Sequence, residues 1–161
     1  MSRLHILPAM SLLLFALYTQ ASSQAVQQKL GELSVSAIHQ NMAQGSLSSA
    51  DLVSFYIQRI AAFDKNSLQL QSIAQLNPNA LSEAIHLDKT FQRSGLMGPL
   101  HGIPVLLKDN IDTGDGMANT AGSHALALNF PKDDAFLVQR LRQAGAIILG
   151  KTNLSEWANF R

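Results

Sequence analysis

The sequence predicts an α/β fold in which helices surround a mixed, largely parallel sheet. Short apolar runs alternate with stretches of helical periodicity, as expected when strands are joined by helical crossovers. Residues 146–149 are continuously apolar, which is typical of strands buried on both faces of a parallel sheet. Hydrophobic residues make up 47% of the 161-residue chain, so there is enough apolar material for a packed core.

Two helices are predicted before the first strand. Side chains suited to a core recur at helical spacing over residues 34–44. Ser48, with Asp51 three residues later, forms an acidic variant of the capping box. Leu47 and Leu52 stand where a hydrophobic staple would form at the same helix start. This second helix should run to about residue 63 and bury Leu52, Phe55, Tyr56 and Ile60.

A weakly alternating strand over residues 70–76 and a third helix come next. Asn77 and Pro78 combine an N-cap residue with proline at the first helical position, and Gly95 is expected to end the helix. The strand after it spans residues 103–107, and its proline, residue 104, places it at a sheet edge or marks its start. The apolar positions expected on the third helix are Leu81, Ala84, Ile85 and Leu87.

The C-terminal part of the chain predicts a further helix, a strand and the beginning of another helix. Asp133 or Asp134 is expected to cap the first of these helices, and Gly145 to end it. After the strand, Asn153 and Glu156 repeat the capping-box spacing and predict a last helix. The core positions of the helix before Gly145 are Leu137, Val138 and Leu141.

The first 25 residues have the organisation of a secretory signal peptide. Arg3 precedes an almost wholly apolar run over residues 6–18, and small residues follow. The apolar run is shorter than the roughly 20 residues that a membrane span needs. Cleavage could follow Ala21, Ser23 or Ala25. We therefore predict a signal peptide over 1–25 and a mature domain over 26–161 that is secreted or periplasmic, without a stable membrane span. An uncleaved anchor or a buried helix is the alternative.

Composition excludes several classes of protein. There are no cysteines, so an exported chain would have no disulfides and would depend on its core. The net charge is +1, and the sequence has no basic cluster, so no nucleic-acid partner is expected. No metal or cofactor is expected either, because none of the five histidines has the spacing of a metal site. Asp109, Asp112 and Asp115 resemble a calcium loop only loosely, since no bidentate glutamate follows.

Residues 145–152 match the phosphate-loop pattern letter for letter. A phosphate loop follows a strand, and its middle residues form an open cradle of backbone N–H groups. Here the middle residues are themselves the apolar strand, and Gly145 ends the preceding helix. The sequence therefore favours a buried strand over a nucleotide site.

The polar residues Lys108, Asp109 and Asn110 come directly after the apolar run of residues 102–107. A lysine delivered at the tip of such a strand has two possible fates. It can extend its ammonium to water, or burial can lower its pKa toward that of a catalytic base. Ser123 lies beside His124, but adjacent side chains rarely point toward each other for base catalysis, so a helix N-cap is the favoured role of Ser123.

Three segments together resemble the amidase signature family. They are GPLHGIPVLLKDN at residues 98–110, TAGS at residues 120–123 and GAIILGKTNLSEW at residues 145–157. The likeness is strong from residue 98 to the end of the chain and weaker over about 28–94. The final eight residues are most similar to the family's peptide-amidase-type members.

This resemblance implies a large α/β/α fold around a mixed sheet and hydrolysis of amide bonds by a Ser–cis-Ser–Lys triad. Lys108 matches the family's strand-end lysine. Held neutral, it would take a proton from the bridging serine, which in turn deprotonates the nucleophilic serine. The implied substrate is a small amide or peptide amide.

The Gly/Ser-rich segment that carries both serines in the family has no match here and would follow Arg161. We therefore expect the N-terminal, truncated part of an amidase domain, which carries only the lysine of the triad and is inactive alone. Ser123 and Ser155 do not fill the gap. The alternative is a non-catalytic secreted fragment or binding remnant that lacks the serine nucleophile.

Overall fold

A computed structural model describes residues 30–158, so the predicted signal peptide lies outside the described residues. No helix within this part of the chain is long and apolar enough to cross a membrane. The elements are α1 (Val35–Ala43), α2 (Ser49–Arg59), a π-helix (Ile60–Ser67), β1 (Ile73–Leu76), α3 (Ala80–Ser94), β2 (Pro104–Lys108), a 3₁₀-helix (His124–Leu126), α4 (Phe136–Gln143), β3 (Ile147–Thr152) and a second 3₁₀-helix (Glu156–Ala158).

The three strands form a mixed sheet in the order β1-β3-β2, which confirms the predicted α/β class. β2 runs parallel to β3, and β1 runs antiparallel to it. The central strand β3 is buried from Ile147 to Lys151, as its continuous apolar run predicts. Gly150 allows β1 to approach closely, because a Cβ at this position would lie 2.5 Å from the carbonyl oxygen of Gln75.

β2 is less buried than its apolar sequence indicates. Pro104 is its first residue, and the strand lies at the edge of the described sheet, so both readings of the proline are correct. Only Leu107 is buried, whereas Leu106 is exposed. The expectation of a strand packed on both faces is wrong for β2 because one of its edges and part of one face are uncovered.

Helix ends that depend on neighbouring residues agree with the sequence. Ser34 caps α1 by accepting a hydrogen bond from the Ala37 N–H, and Ser48 and Asp51 form the predicted capping box of α2. Gly95 ends α3 with a positive φ of 77°. α2 itself ends at Arg59, earlier than predicted, and the chain continues as the π-helix.

Three predicted helix starts are wrong, each because the capping residue has a more distant partner. Asn77 precedes α3 by two residues, and its amide donates to the Ile148 carbonyl at 2.8 Å. Asp134 does not cap α4; its carboxylate accepts from the Gly114 N–H and from Arg142. Asn153 donates to the Gln71 carbonyl and opens no helix. Three predicted core side chains are exposed instead: Leu81, Ile85 and Leu137.

The core consists of three clusters around the sheet. The first joins α2 and α3 to β3 and contains Val53, Ala80, Ala84, Leu87, Ile147 and Leu149. The second lies between α1 and α2 and contains Ile38, Met42, Leu47 and Leu52. The third covers the other side of β3 and contains Leu107, Met117, Val138 and Ile148. β3 contributes to both the first and the third cluster, so it is the element that connects the two sides of the fold.

Asp88 on α3 ties that helix to the start of α2. Its carboxylate accepts hydrogen bonds from the backbone N–H groups of Ser49 at 2.7 Å and Ala50 at 3.0 Å. These are N–H groups of the first helical turn, which has no intrahelical partners for them and carries the positive end of the helix dipole.

We expect Asp88→Ala to lower the free energy of unfolding by about 2 kcal/mol, because two charge-assisted hydrogen bonds to a helix start are lost. Urea unfolding followed by circular dichroism measures this change. Asp133→Ala is the control: its carboxylate is exposed, and the change should stay within about 0.5 kcal/mol. Equal effects of the two substitutions would contradict the capping role.

Candidate active site

The carboxyl ends of β2 and β3 meet at one edge of the sheet, and Lys108 is the last residue of β2 there. It pairs in register with Thr152, the last residue of β3. The Lys108 ammonium donates to the backbone carbonyl of Asn153 at 2.9 Å. This is its hydrogen bond within residues 30–158, so two of its three N–H donors remain available to another partner.

Of the two fates that the sequence left open for Lys108, the structure shows the exposed one. The side chain lies at the surface of the described part of the chain. The strand before it supplies little desolvation, because β2 is an edge strand with Leu106 exposed. Residues 30–158 therefore fix where the lysine begins without burying its ammonium.

Asp109, the next residue, anchors the loop that follows β2. Its buried carboxylate accepts hydrogen bonds from the Gln75 side chain at 3.1 Å and from the Thr120 hydroxyl. Gln75 also donates to the Ala118 carbonyl and accepts from the Ala118 N–H, at 2.7 Å and 3.0 Å. The backbone of Asp109 bonds to Thr152 and Ala121. The loop is thus folded back onto the sheet edge beside Lys108.

A cleft of about 510 Å³ lies along this edge. Its volume falls within the range of small-molecule sites. Polar groups from Gln75, Asp109, Thr120, Ser123 and Asn153 line it, together with the Phe130 ring. The cleft therefore lies against Asn153, the residue that holds Lys108, and could admit a small polar ligand.

The lysine that the fold buries is Lys151, within β3. Its side chain has no solvent exposure, and its ammonium donates to the Ile111 carbonyl at 2.7 Å and the Ala118 carbonyl at 3.4 Å. Burial lowers the pKa of Lys151 from 10.5, against the opposing attraction of Asp109 and other loop carboxylates. Sequence reasoning missed this residue because it placed the end of the strand at residue 149. The signal available was the apolar run that leads directly into Gly150 and Lys151.

Other candidate residues have structural partners. His101 is fully buried, and its Nδ1 accepts from the Met97 N–H at 3.1 Å. Burial, followed by the nearby His39, lowers the pKa of His101, so it stays neutral inside the fold. The Ser123 hydroxyl donates to Glu156 at 2.8 Å and does not cap the 3₁₀-helix that follows. Both favoured capping roles, of Ser123 and of Glu156, are therefore wrong.

The two binding patterns that the sequence discounted are also resolved by the structure. Residues 147–152 form a strand, so the phosphate-loop pattern offers no cradle. Asp109, Asp112 and Asp115 bind separate partners, the last two being Asn119 and Arg142 respectively. Within residues 30–158 no group of three or more histidine or acidic side chains could hold a metal ion.

Comparison with known proteins agrees with this arrangement. A family profile described as Amidase matches residues 51–161. The chain belongs to the amidase family. Among solved structures, it is similar to the peptide amidase from Stenotrophomonas maltophilia, with 53% identity and a TM-score of 0.77 over 81% of this chain. An amidase family protein from Bacillus anthracis superposes over 85% of the chain, with 36% identity and a TM-score of 0.79.

Curated relatives of the chain also include a glutamyl-tRNA(Gln) amidotransferase component from Alkaliphilus metalliredigens. It is 38% identical over 130 residues, which is 81% of this chain and 26% of that protein. The chain spans between 19% and 26% of the length of the first curated relatives it matches, and 26% of the Stenotrophomonas peptide amidase. The described residues thus correspond to one part of a larger amidase domain.

The lowered pKa of Lys151 predicts a rise in stability with pH. Between the lowered folded value and 10.5, the unfolded chain binds more protons than the folded chain, so the free energy of unfolding increases as pH rises through this window. Lys151→Met should flatten the rise. Urea unfolding at a series of pH values up to 10.5 measures the difference between the two proteins.

Lys89→Met is the matched control, because Lys89 is an exposed lysine on α3. It should keep the wild-type dependence on pH, since it leaves the buried ammonium in place. A Lys151→Met protein whose stability varies with pH as steeply as the wild type would contradict the prediction.

Proposed function

We propose that this chain is part of an enzyme that hydrolyses the amide bond of a small amide or a peptide amide. The observation that carries the proposal is Lys108, which stands at the end of β2 near a cleft with two donors available. The identity of 53% with a peptide amidase supports this substrate class over other amides.

In the proposed mechanism Lys108, in its neutral form, accepts a proton from a bridging serine. That serine takes the proton of the nucleophilic serine, which attacks the amide carbonyl and forms an acyl-enzyme. The amine leaves with a proton, and water then releases the acid. Both serines would come from the portion of the relatives' length that this chain does not span. The same portion would supply the desolvation that Lys108 lacks within residues 30–158.

A location outside the cytoplasm remains part of the proposal. It rests on the apolar segment and small residues within the first 25 positions. Export would separate the protein from transfer RNA, so it favours the peptide-amidase branch over the amidotransferase branch. N-terminal sequencing of the mature protein would reveal whether cleavage follows Ala21, Ser23 or Ala25.

A non-catalytic binding role is the second candidate. It is favoured by one observation: the partner of Lys108 within residues 30–158 is a backbone carbonyl, not a serine hydroxyl. A chain that keeps the cleft without a nucleophile could bind an amide and leave it intact.

A chimaera tests the catalytic proposal. Residues 30–158 would replace the matching segment of the Stenotrophomonas peptide amidase, and amide hydrolysis would be followed by ammonia release. We expect activity in the chimaera and a loss of about 10³-fold or more with Lys108→Ala, since a positioned base is removed.

Lys65→Ala provides a control, because Lys65 lines the far part of the same cleft and is not the proposed base. Its activity should stay much closer to that of the parent chimaera. Activity in Lys108→Ala equal to that of the parent would remove the role given to Lys108. The 161-residue chain alone should show no turnover, and measurable hydrolysis by the pure chain would contradict the need for additional residues.

A further inference from the structure

We propose that Lys151 is the positioning residue of the strand-end loop and sets the place of Lys108 through it. This inference rests on the proposed function, in which Lys108 is the base. It concerns a second lysine, on a different strand, whose ammonium does not reach the cleft.

The register of the sheet places the two lysines on opposite faces. Leu107 pairs with Lys151, and Lys108 pairs with Thr152. Residues paired across neighbouring strands point to the same face, and successive residues alternate. The Lys151 side chain therefore points to the face that the loop after β2 covers, while Lys108 points to the other.

The Lys151 ammonium joins both ends of that loop. It donates to the carbonyl of Ile111, three residues after Lys108, and to the carbonyl of Ala118 near the loop's return. The backbone N–H of Ile111 donates in turn to the Lys108 carbonyl at 3.1 Å. A single residue, Ile111, thus connects the buried ammonium to the backbone of the proposed base.

The chemistry of the site suits an ammonium and not an apolar side chain. Two backbone carbonyls converge on a place without solvent, and each needs a donor. One ammonium carries three donors and can bridge both. Asp109, Asp112 and Asp115, all on the same loop, favour the positive charge and offset part of the cost of burying it.

Gln75 holds the same loop from β1, through Asp109 and Ala118. Removing Lys151 would leave these contacts in place. The loop should then remain attached near residue 118 and loosen near residue 111, the end next to Lys108. This local pattern separates positioning from a general contribution to folding.

Hydrogen exchange on the 161-residue chain provides the first test. We expect Lys151→Met to raise amide exchange over residues 109–113 by about tenfold or more, the change expected when a hydrogen bond to a charged group is lost. Exchange in α3 should not change, and the exposed-lysine control Lys89→Met should match the wild type throughout. A uniform rise along the chain, or no rise at residues 109–113, would overturn the proposal.

Lys151→Gln is the second variant, in case the methionine protein does not fold. Its shorter side chain carries two N–H donors and no charge, so it cannot bridge both carbonyls as the ammonium does. The same local rise is expected. A folded Lys151→Gln protein with wild-type exchange over residues 109–113 would also overturn the proposal.

Kinetics in the peptide amidase chimaera provides the second readout. Displacing the base should lower kcat by about tenfold or more, while KM stays within about twofold because the cleft is unchanged. If Lys108→Ala is inactive but Lys151→Met keeps the parent kcat, the positioning role fails and the proposed function stands. If Lys108→Ala is fully active, the proposed function fails, and with it the positioning role.

Discussion

The fold depends on the burial of β3 between two strands and two layers. A strand paired on both edges has no backbone group left for solvent, and apolar clusters cover both of its faces. Gly150 is required where β1 crosses closely, and Asn77 donates back to the Ile148 carbonyl at the end of β1. The positions of β1, β2, α3 and α4 are all set relative to this one strand.

The same constraint explains why the buried lysine is at the end of β3. Solvent is absent at Lys151, so its ammonium must be satisfied by the protein, and the loop after β2 provides carbonyl oxygens. That loop can approach because Asp109, Gln75 and Thr120 hold it against the sheet. Charge burial and loop geometry are therefore two aspects of one arrangement. Neither lysine nor loop would be placed as it is without the other.

Sequence reasoning succeeded where a structure depends on residues a few positions apart. The capping box of Ser48 and Asp51 and the helix end at Gly95 are local, so their signals are contained in the sequence around them. It failed where the decisive partner is distant. Asp88 bonds to the backbone of Ser49, 39 residues away, and no spacing rule indicates such a pair.

The candidate site shows the same division. Lys108 could be singled out from the sequence, because a lysine after an apolar run is a local pattern and its setting resembles a family motif. Its exposure could not, since exposure depends on which neighbours cover the strand edge. Lys151 was passed over because its pattern was weighed as a phosphate loop, and only the sheet register shows that its side chain lies in the core.

The requirements of a lysine base fall into two parts. A base needs a fixed position and an environment that favours its neutral form. Residues 30–158 meet the first need: β2, the bond from Ile111 to the Lys108 carbonyl, and the anchored loop all fix the backbone. They do not meet the second, because the Lys108 side chain is exposed among them. If Lys108 acts as the base, its position is set by this part of an amidase domain and its desolvation by contacts from another, so substitutions in the two parts should affect catalysis for different physical reasons.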